Sequence, residues 1–316
     1  MNHALRLVAW LVFSLALLAL PACTRTGSGA PPAPVHTGFA TPDEAVAALV
    51  SAAQQGDLAT LQSLLGPGSE KLLSSGDAVE DKKERESFLA RYQAHHELVA
   101  GSPNDLVLLV GDDRWPLPIP LVRTADRWAF DGAAGAEELV LRRIGANELR
   151  TIDVMRGYVA AQEDYAVAGH DGAPAGLYAM HLRSSPGTQD GLYWETAPGE
   201  PQSPAGPLLA AASAEGYALK GDAPAPYRGY YYRLLLSQGA EANGGARSYV
   251  ADGKLTGGFA ALAYPAEYGA SGIMTFMVNQ DGTIWQRDLG SKTAELARAI
   301  DTFNPDGDWT PIAPEE

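Results

Sequence analysis

The residues best suited to acid–base or metal chemistry in this 316-residue chain are His95, His96 and Glu97, followed after a short interval by Asp112 and Asp113. Imidazole and carboxylate groups can hold a divalent ion or share a proton when a fold brings them together. The histidine pair falls near the expected end of a helix, where the dipole favours it without any site. Gly269-Ala270-Ser271-Gly272 has the serine of a strained nucleophile turn, but Ile273 stands where the following glycine belongs, so a turn between strands is expected. Gly290-Ser291-Lys292-Thr293 ends like a phosphate loop, yet Gln286 and Ser291 replace its two glycines, which predicts a helix cap instead. Asn304-Pro305-Asp306-Gly307-Asp308 offers oxygens to calcium without the spacing of an EF-hand, and a solvated turn is expected. These motifs supply no catalytic set, no metal site and no cofactor.

The remaining candidate is aromatic. Tyr227, Tyr230, Tyr231, Tyr232, Tyr264, Tyr268 and Trp285 gather in the second half of the chain. Rings on an exposed strand face stack on sugars or anchor a protein partner, and Tyr231, Tyr264, Tyr268 and Trp285 are the candidate binding surface. The competing expectation places alternate tyrosines in the core or in cross-strand pairs.

A formal charge of −15 excludes the polyphosphate backbones of nucleic acids as natural partners. The single cysteine, Cys23, rules out an intrachain disulfide and a cysteine-based zinc site. An apolar fraction of 46% is enough to bury real cores, and the length suggests two domains.

Met1 to Arg6 is a weakly basic start, and Leu7 to Leu20 is an apolar run shorter than the ~20 residues a spanning helix needs. It has signal-peptide length, giving a leader over 1–22. Leu20-Pro21-Ala22-Cys23 resembles the bacterial lipobox, which implies cleavage before Cys23, lipidation of its sulfur and acylation of its amine. At ~0.8 kcal/mol per buried CH₂, more than one acyl chain anchors a protein stably. The membrane is therefore an expected partner through the N-terminal lipid. Thr24 after the cysteine implies the periplasmic face of the outer membrane if the envelope is Gram-negative. Residues 23–38 are rich in Gly, Ser, Thr, Pro and Ala and read as a tether.

The elements that must position any site begin at Thr41-Pro42-Asp43-Glu44, a capping box with Pro at the first helical position. A helix follows through Ala53, a second carries Leu58, Leu61, Leu64 and Leu65 behind an Asp57 cap, and a third is expected over about 81–98. Strands are expected at 106–110, 115–122 and 127–131. Residues 136–165 read as one long helix with apolar faces on two sides, Leu141, Ile144, Ile152, Met155 and Val159 on one and Val154, Tyr158, Ala161 and Tyr165 on the other. Such a helix packs against two bodies. After a loop-rich passage with helical segments expected at 177–182 and 203–214, the period changes to two. Strands are expected at 230–236, 257–264, 272–278 and 283–287, forming an antiparallel meander with one face on the long helix. Phe259, Ile273, Phe276, Ile284 and Trp285 are the candidate inward residues. A closing helix at 293–303 and a loose acidic tail at 304–316 complete an α+β chain.

The pattern AVAALVSAAQQGDLATLQSLL followed by strands ending in RWAFD resembles an NTF2-like or cystatin-like cone over 39–135, a fold that often holds a small apolar ligand between sheet and helices. NELRTIDVMRGYVAAQEDYA, GYYYRLL and FAALAYPAEYGASGIMTFMVNQDGTIWQRDLG are similar in plan to a type IV pilin or pseudopilin globular domain over 136–303. The lipobox and first domain stand where a pilin has its prepilin site, so only the fold carries over. From FATPDEAVAALV through GDDRWPLPIPLV, RRIGANEL and YPAEYGASGIMTF the chain resembles the bacterial lipoprotein family of domain of unknown function 2950, which implies no known activity. The expectation is a non-catalytic binding or assembly module of the cell envelope with an envelope protein partner. The alternatives are a small-ligand carrier or weak enzyme using the first domain's cone, and glycan or peptidoglycan binding through the tyrosine-rich strands.

Overall fold

The long helix expected at 136–165 is the longest element of the fold. The structure, a computed structural model, describes residues 38–313 apart from 103, 198, 209–211, 213, 214, 216 and 218–224. The leader, the lipobox residues Leu20, Pro21, Ala22 and Cys23, and the tether before Gly38 lie outside the described residues. No described helix is long and apolar enough to cross a membrane.

The first lobe opens with α1 (Pro42–Gln55), α2 (Leu58–Leu65), α3 (Glu70–Leu73) and α4 (Ala78–Ala94). Thr41 Oγ1 accepts from Glu44 N–H at 3.2 Å and Asp57 Oδ1 from Thr60 N–H at 3.0 Å, so both expected caps close orphan amides. Strands β1 (His96–Ser102), β2 (Asp105–Val110), β3 (Trp115–Pro116), β4 (Leu121–Thr124) and β5 (Arg127–Phe130) follow. They form an antiparallel sheet in the order β1-β2-β4-β5, with β3 on β2. Two expectations are corrected here. The third helix ends at Ala94, because residues from His96 onward pair with β2 in register from His96↔Val110 to Ala100↔Leu106. The prolines between 115 and 122 split the expected strand in two. Ala45, Leu49, Leu61, Leu65, Leu108, Val110, Ile119, Leu121 and Phe130 form this lobe's core.

Helix α5 (Gly132–Val167) runs from one core into the next. It starts against the first lobe, where a Cβ on Gly135 would lie 2.0 Å from the Pro118 carbonyl oxygen. Leu139 packs on the first core, while Met155, Tyr158, Ala161 and Tyr165 belong to the second. Leu141, expected on an apolar face, is 53% exposed.

After α5 come the parallel pair β6 (His181–Arg183) and β7 (Gly191–Tyr193), then β8 (Tyr230–Leu235). The helix expected at 177–182 is absent, since Tyr178 bridges Leu255 and His181 pairs with Gly191. Residues 206–208 are helical, and the remainder of the segment expected to continue them lies mostly outside the described residues. Short strands β9 (Ser237–Gln238), β10 (Arg247–Ser248), β11 (Val250–Ala251) and β12 (Lys254–Leu255) lead to β13 (Ala260–Pro265), β14 (Met274–Asn279), β15 (Trp285–Asp288), helix α6 (Thr293–Ala299) and β16 (Thr310–Pro311). The expected meander is present as β16-β15-β14-β13-β8.

One face of this sheet lies on α5 as expected, and the other is covered as well. Register places Tyr232, Ala263 and Phe276 together on one face, where Tyr232 Oη donates to Thr151 Oγ1 of α5 at 3.3 Å. Tyr231, Arg233, Leu262, Tyr264, Met277 and Trp285 share the other, where Arg233 binds the Ala297 carbonyl oxygen of α6 at 3.1 Å. All six residues of β13 are buried accordingly, as a doubly covered strand requires. The closing helix stops at Ala299, and residues 304–313 are not loose: β16 pairs with β15, Trp309 is buried and Ile312 N–H reaches the Ile284 carbonyl.

Candidate functional site

Between α4 and α5 the first lobe holds a cleft of about 590 Å³. Its wall is apolar, with Leu49 and Ala53 from α1, Leu61 and Leu65 from α2, Phe88 from α4, and Val110, Leu117, Ile119 and Leu139 from the sheet, its connection and α5. This volume and lining suit a metabolite-sized ligand. Six basic and three acidic side chains also line it: Lys83, Arg85, Arg91, Arg142, Arg143 and Arg150 against Glu80, Asp81 and Glu84. In a chain of charge −15, that is a local reversal of sign.

The charges bridge the two helices. Arg143 is 6% exposed; its guanidinium grips Glu84 through Nε at 2.9–3.0 Å and Nη2 at 2.6 Å, and donates to the carbonyls of Lys71 at 2.7 Å and Leu72 at 2.5 Å. A fork with this many acceptors uses the planar geometry that lysine lacks. About two turns further along α5, Arg150 Nη1 donates to Glu80 Oε1 at 2.7 Å. At the opposite end Arg142 pairs with Glu138 and lies over the Trp115 ring at 5.5 Å, while Arg91 pairs with Asp113 at 2.9 Å. Glu80 to Arg91 spans eleven residues of α4, so the cleft runs ~16 Å along that helix. Among the described residues Arg85 has no anionic partner.

Below the Glu80 end lies a polar anchor. Asp77, 1% exposed, caps α4 by accepting from Val79 N–H at 3.1 Å and Glu80 N–H at 3.2 Å. Its other oxygen accepts from Tyr217 Oη at 2.9 Å and Gly229 N–H at 2.8 Å, tying α4 to the entry of β8. Burial and the Asp77 charge push the Tyr217 phenol up. Burial also opposes charge on nearby Glu215, but Arg228 and Lys83 hold its carboxyl below the usual range. Asn147 and Glu148 fasten α5 to the turn before β14 through the carbonyl of Ser271 and the amides of Ile273 and Met274 at 2.9–3.0 Å.

A model of the family described as protein of unknown function (DUF2950) matches residues 36–312. The chain belongs to that family. No curated protein and no solved structure matches it. The cleft and its ion pairs lie inside the DUF2950 match, whereas Cys23 precedes it.

The other sequence candidates do not converge on a site. His96 stacks on Tyr92 at 3.9 Å and its Nδ1 faces the Tyr92 carbonyl, Glu97 pairs with Arg114, Asp113 with Arg91, and His95 and Asp112 are exposed. Among the described residues no group of His, Cys, Asp and Glu has the arrangement to hold a metal. Ser271 is fully buried and its hydroxyl closes a turn on the backbone of Glu267. Thr293 Oγ1 caps the Gly290 carbonyl at 2.6 Å, and Asp306 and Asp308 pair with Arg287.

The tyrosines divide. Tyr264 is 8% exposed and lies across from Tyr231 with ring centres 5.5 Å apart, a cross-strand pair. Trp285 is half-buried opposite Pro311. Tyr268 donates to Asp288 at 3.3 Å, and burial together with that carboxylate raises its pKa. Sequence reasoning singled out no residue of the cleft as a polar ligand: Glu80, Asn147 and Arg143 lie in helices whose composition marks them as ordinary helical polar residues.

Proposed function

We propose that this protein is a non-catalytic binding module of the bacterial cell envelope, lipid-anchored through Cys23, that holds a small, largely apolar ligand in the cleft of its first lobe. The observation that carries this reading is the cleft itself, an apolar volume of about 590 Å³ spanned by ion pairs between α4 and α5. The lobe's plan of three longer helices against an antiparallel sheet agrees with an NTF2-like cone, and the second lobe's helix on a meander agrees with the pilin-like plan. The lipobox Leu20-Pro21-Ala22-Cys23 supports the anchor.

Two experiments test this. Solvent extraction of the full-length protein purified from its own envelope should release one small molecule in roughly equimolar amount; an extract matching a blank purification overturns the ligand reading. The intact mass should show a chain beginning at Cys23 with diacylglyceryl and acyl groups, and Cys23→Ala should retain the leader. An envelope partner reading remains for the exposed Leu141 and Leu149 of α5, and cross-linking that captures a stoichiometric partner through that face would support it.

A further inference from the structure

Two acceptors in the cleft have no partner among the described residues. Glu80 is 3% exposed, and while its Oε1 receives Arg150, its Oε2 accepts no hydrogen bond among the described residues. The Lys83 ammonium stands 3.9 Å from that oxygen, beyond hydrogen-bond reach. Asn147 is 1% exposed; its Nδ2 donates to the Ser271 carbonyl, and its Oδ1 is likewise without a partner. Both residues line the cleft at the same end, Asn147 lying one turn before Arg150 on α5. A buried acceptor left unsatisfied is costly, and native folds tolerate few of them away from functional sites.

We infer that the Glu80 end of the cleft receives an uncharged hydrogen-bond-donating group, a carboxamide or hydroxyl, carried on the apolar body of the ligand. The inference rests on the cleft being the binding site. Local charge decides between donors. Glu80 already has the Arg150 guanidinium on Oε1 and the Lys83 ammonium 3.9 Å from Oε2, so an arriving ammonium would sit against two like charges. A carboxylate would set acceptors against Oε2 and Oδ1. A neutral donor satisfies an orphaned oxygen without competing for the ion pairs. The apolar wall of Leu49, Leu61, Leu65, Phe88 and Ile119 then takes the body of the molecule.

The test compares probes matched in shape. Full-length lipidated protein in nanodiscs, with empty nanodiscs as the blank, is titrated by calorimetry with 2-naphthamide, methyl 2-naphthoate and (2-naphthyl)methylammonium. The amide and the ester share a ring system and a carbonyl, and only the amide brings N–H donors. The amide should bind at least about tenfold more tightly than the ester, the equivalent of one to two net hydrogen bonds. The ammonium should bind more weakly than the amide. Glu80→Gln keeps the side-chain length and an oxygen for Arg150 but places an N–H2 at the Oε2 position, so the amide's advantage should fall to about twofold or less. Equal binding of amide and ester by the natural protein overturns the inference while leaving the cleft as a ligand site. Tightest binding by the ammonium, or an undiminished preference in Glu80→Gln, also overturns it. Binding by none of the three removes the cleft reading itself. The comparison in the natural protein needs no variant to fold.

Discussion

Replacing Asp77 with alanine should be among the most damaging single changes in the chain. Its carboxylate accepts four hydrogen bonds at 2.8–3.2 Å, two from the first turn of α4 and two from Tyr217 and Gly229 far along the sequence. Loss of the cap costs about 1 kcal/mol, as N-caps do. Loss of the other oxygen strands a buried phenol and a buried amide, each worth about 1–3 kcal/mol when left unpaired. Relaxation around the smaller side chain recovers part of this, and the net expectation is about 3–5 kcal/mol. Asp77→Asn keeps an oxygen for the cap but turns an N–H2 toward the Gly229 amide, so about 1–3 kcal/mol is expected. The assay is urea unfolding of the full chain, followed by tryptophan fluorescence and far-ultraviolet circular dichroism. Trp115 and Trp128 report the first core and Trp194, Trp285 and Trp309 the second. Because the chain from residue 36 is one compact unit and α5 passes through both cores, the two signals should share one transition. In a Tyr217→Phe background, Asp77→Ala should cost about 1–2 kcal/mol less, since one stranded donor is already gone. A loss under about 1 kcal/mol for Asp77→Ala, the range of an exposed cap, would refute the reasoning.

Gly135→Ala should destabilise by more than the propensity gain of alanine in a helix, because its Cβ would lie 2.0 Å from the Pro118 carbonyl oxygen; a raised melting temperature would contradict this. Arg143→Lys should also destabilise, since an ammonium cannot serve Glu84 and the carbonyls of Lys71 and Leu72 together, and unchanged urea midpoints would count against the bridge. Alkali provides a third check. Burial pushes the phenols of Tyr158, Tyr217 and Tyr230 well above their ordinary value of 10.0. Below pH 10 these groups are protonated folded or unfolded and contribute no pH dependence. Above it the unfolded chain ionises first, so stability should fall with rising pH by up to about 1.4 kcal/mol per unit for each. Phenolate absorbance should show these three ionising only with unfolding; smooth titration in the folded state would contradict their burial.

Much of the fold was legible in local patterns. Thr41-Pro42-Asp43-Glu44 and Asp57 announce their helices, and both caps form as their chemistry demands. The apolar pattern of α5 foretold a helix in contact with two cores, but both of its expected faces meet the second, Ile152 and Val159 beside Tyr158 and Tyr165, while the first is reached through Leu139 near the start of the helix. The period-two runs foretold the strands of the meander. The end of α4 was not legible, because His96 to Val99 has no strong local preference and pairing with β2 decides it. Nor was the burial of β13 on both faces, which depends on α6 and the chain after it folding back over the sheet. The cleft was legible only as a fold-level expectation. Glu80 sits in a helix crowded with Lys, Glu and Arg, and Asn147 in one with many polar residues; nothing in either stretch distinguishes an orphaned acceptor from a solvated one. The tyrosines illustrate the converse, since Tyr231 and Tyr264 satisfy each other across strands and need no ligand to explain them.

The most direct test of the central claim is a native mass spectrum of the full-length protein from its own envelope, recorded beside Ala146→Trp. Ala146 lines the cleft from α5, and an indole there would occupy the space a ligand needs. The account predicts a non-covalent adduct of constant mass on the natural protein and its absence from the variant, with the folded charge-state distribution unchanged. An adduct retained by Ala146→Trp, or none on either protein, would contradict it.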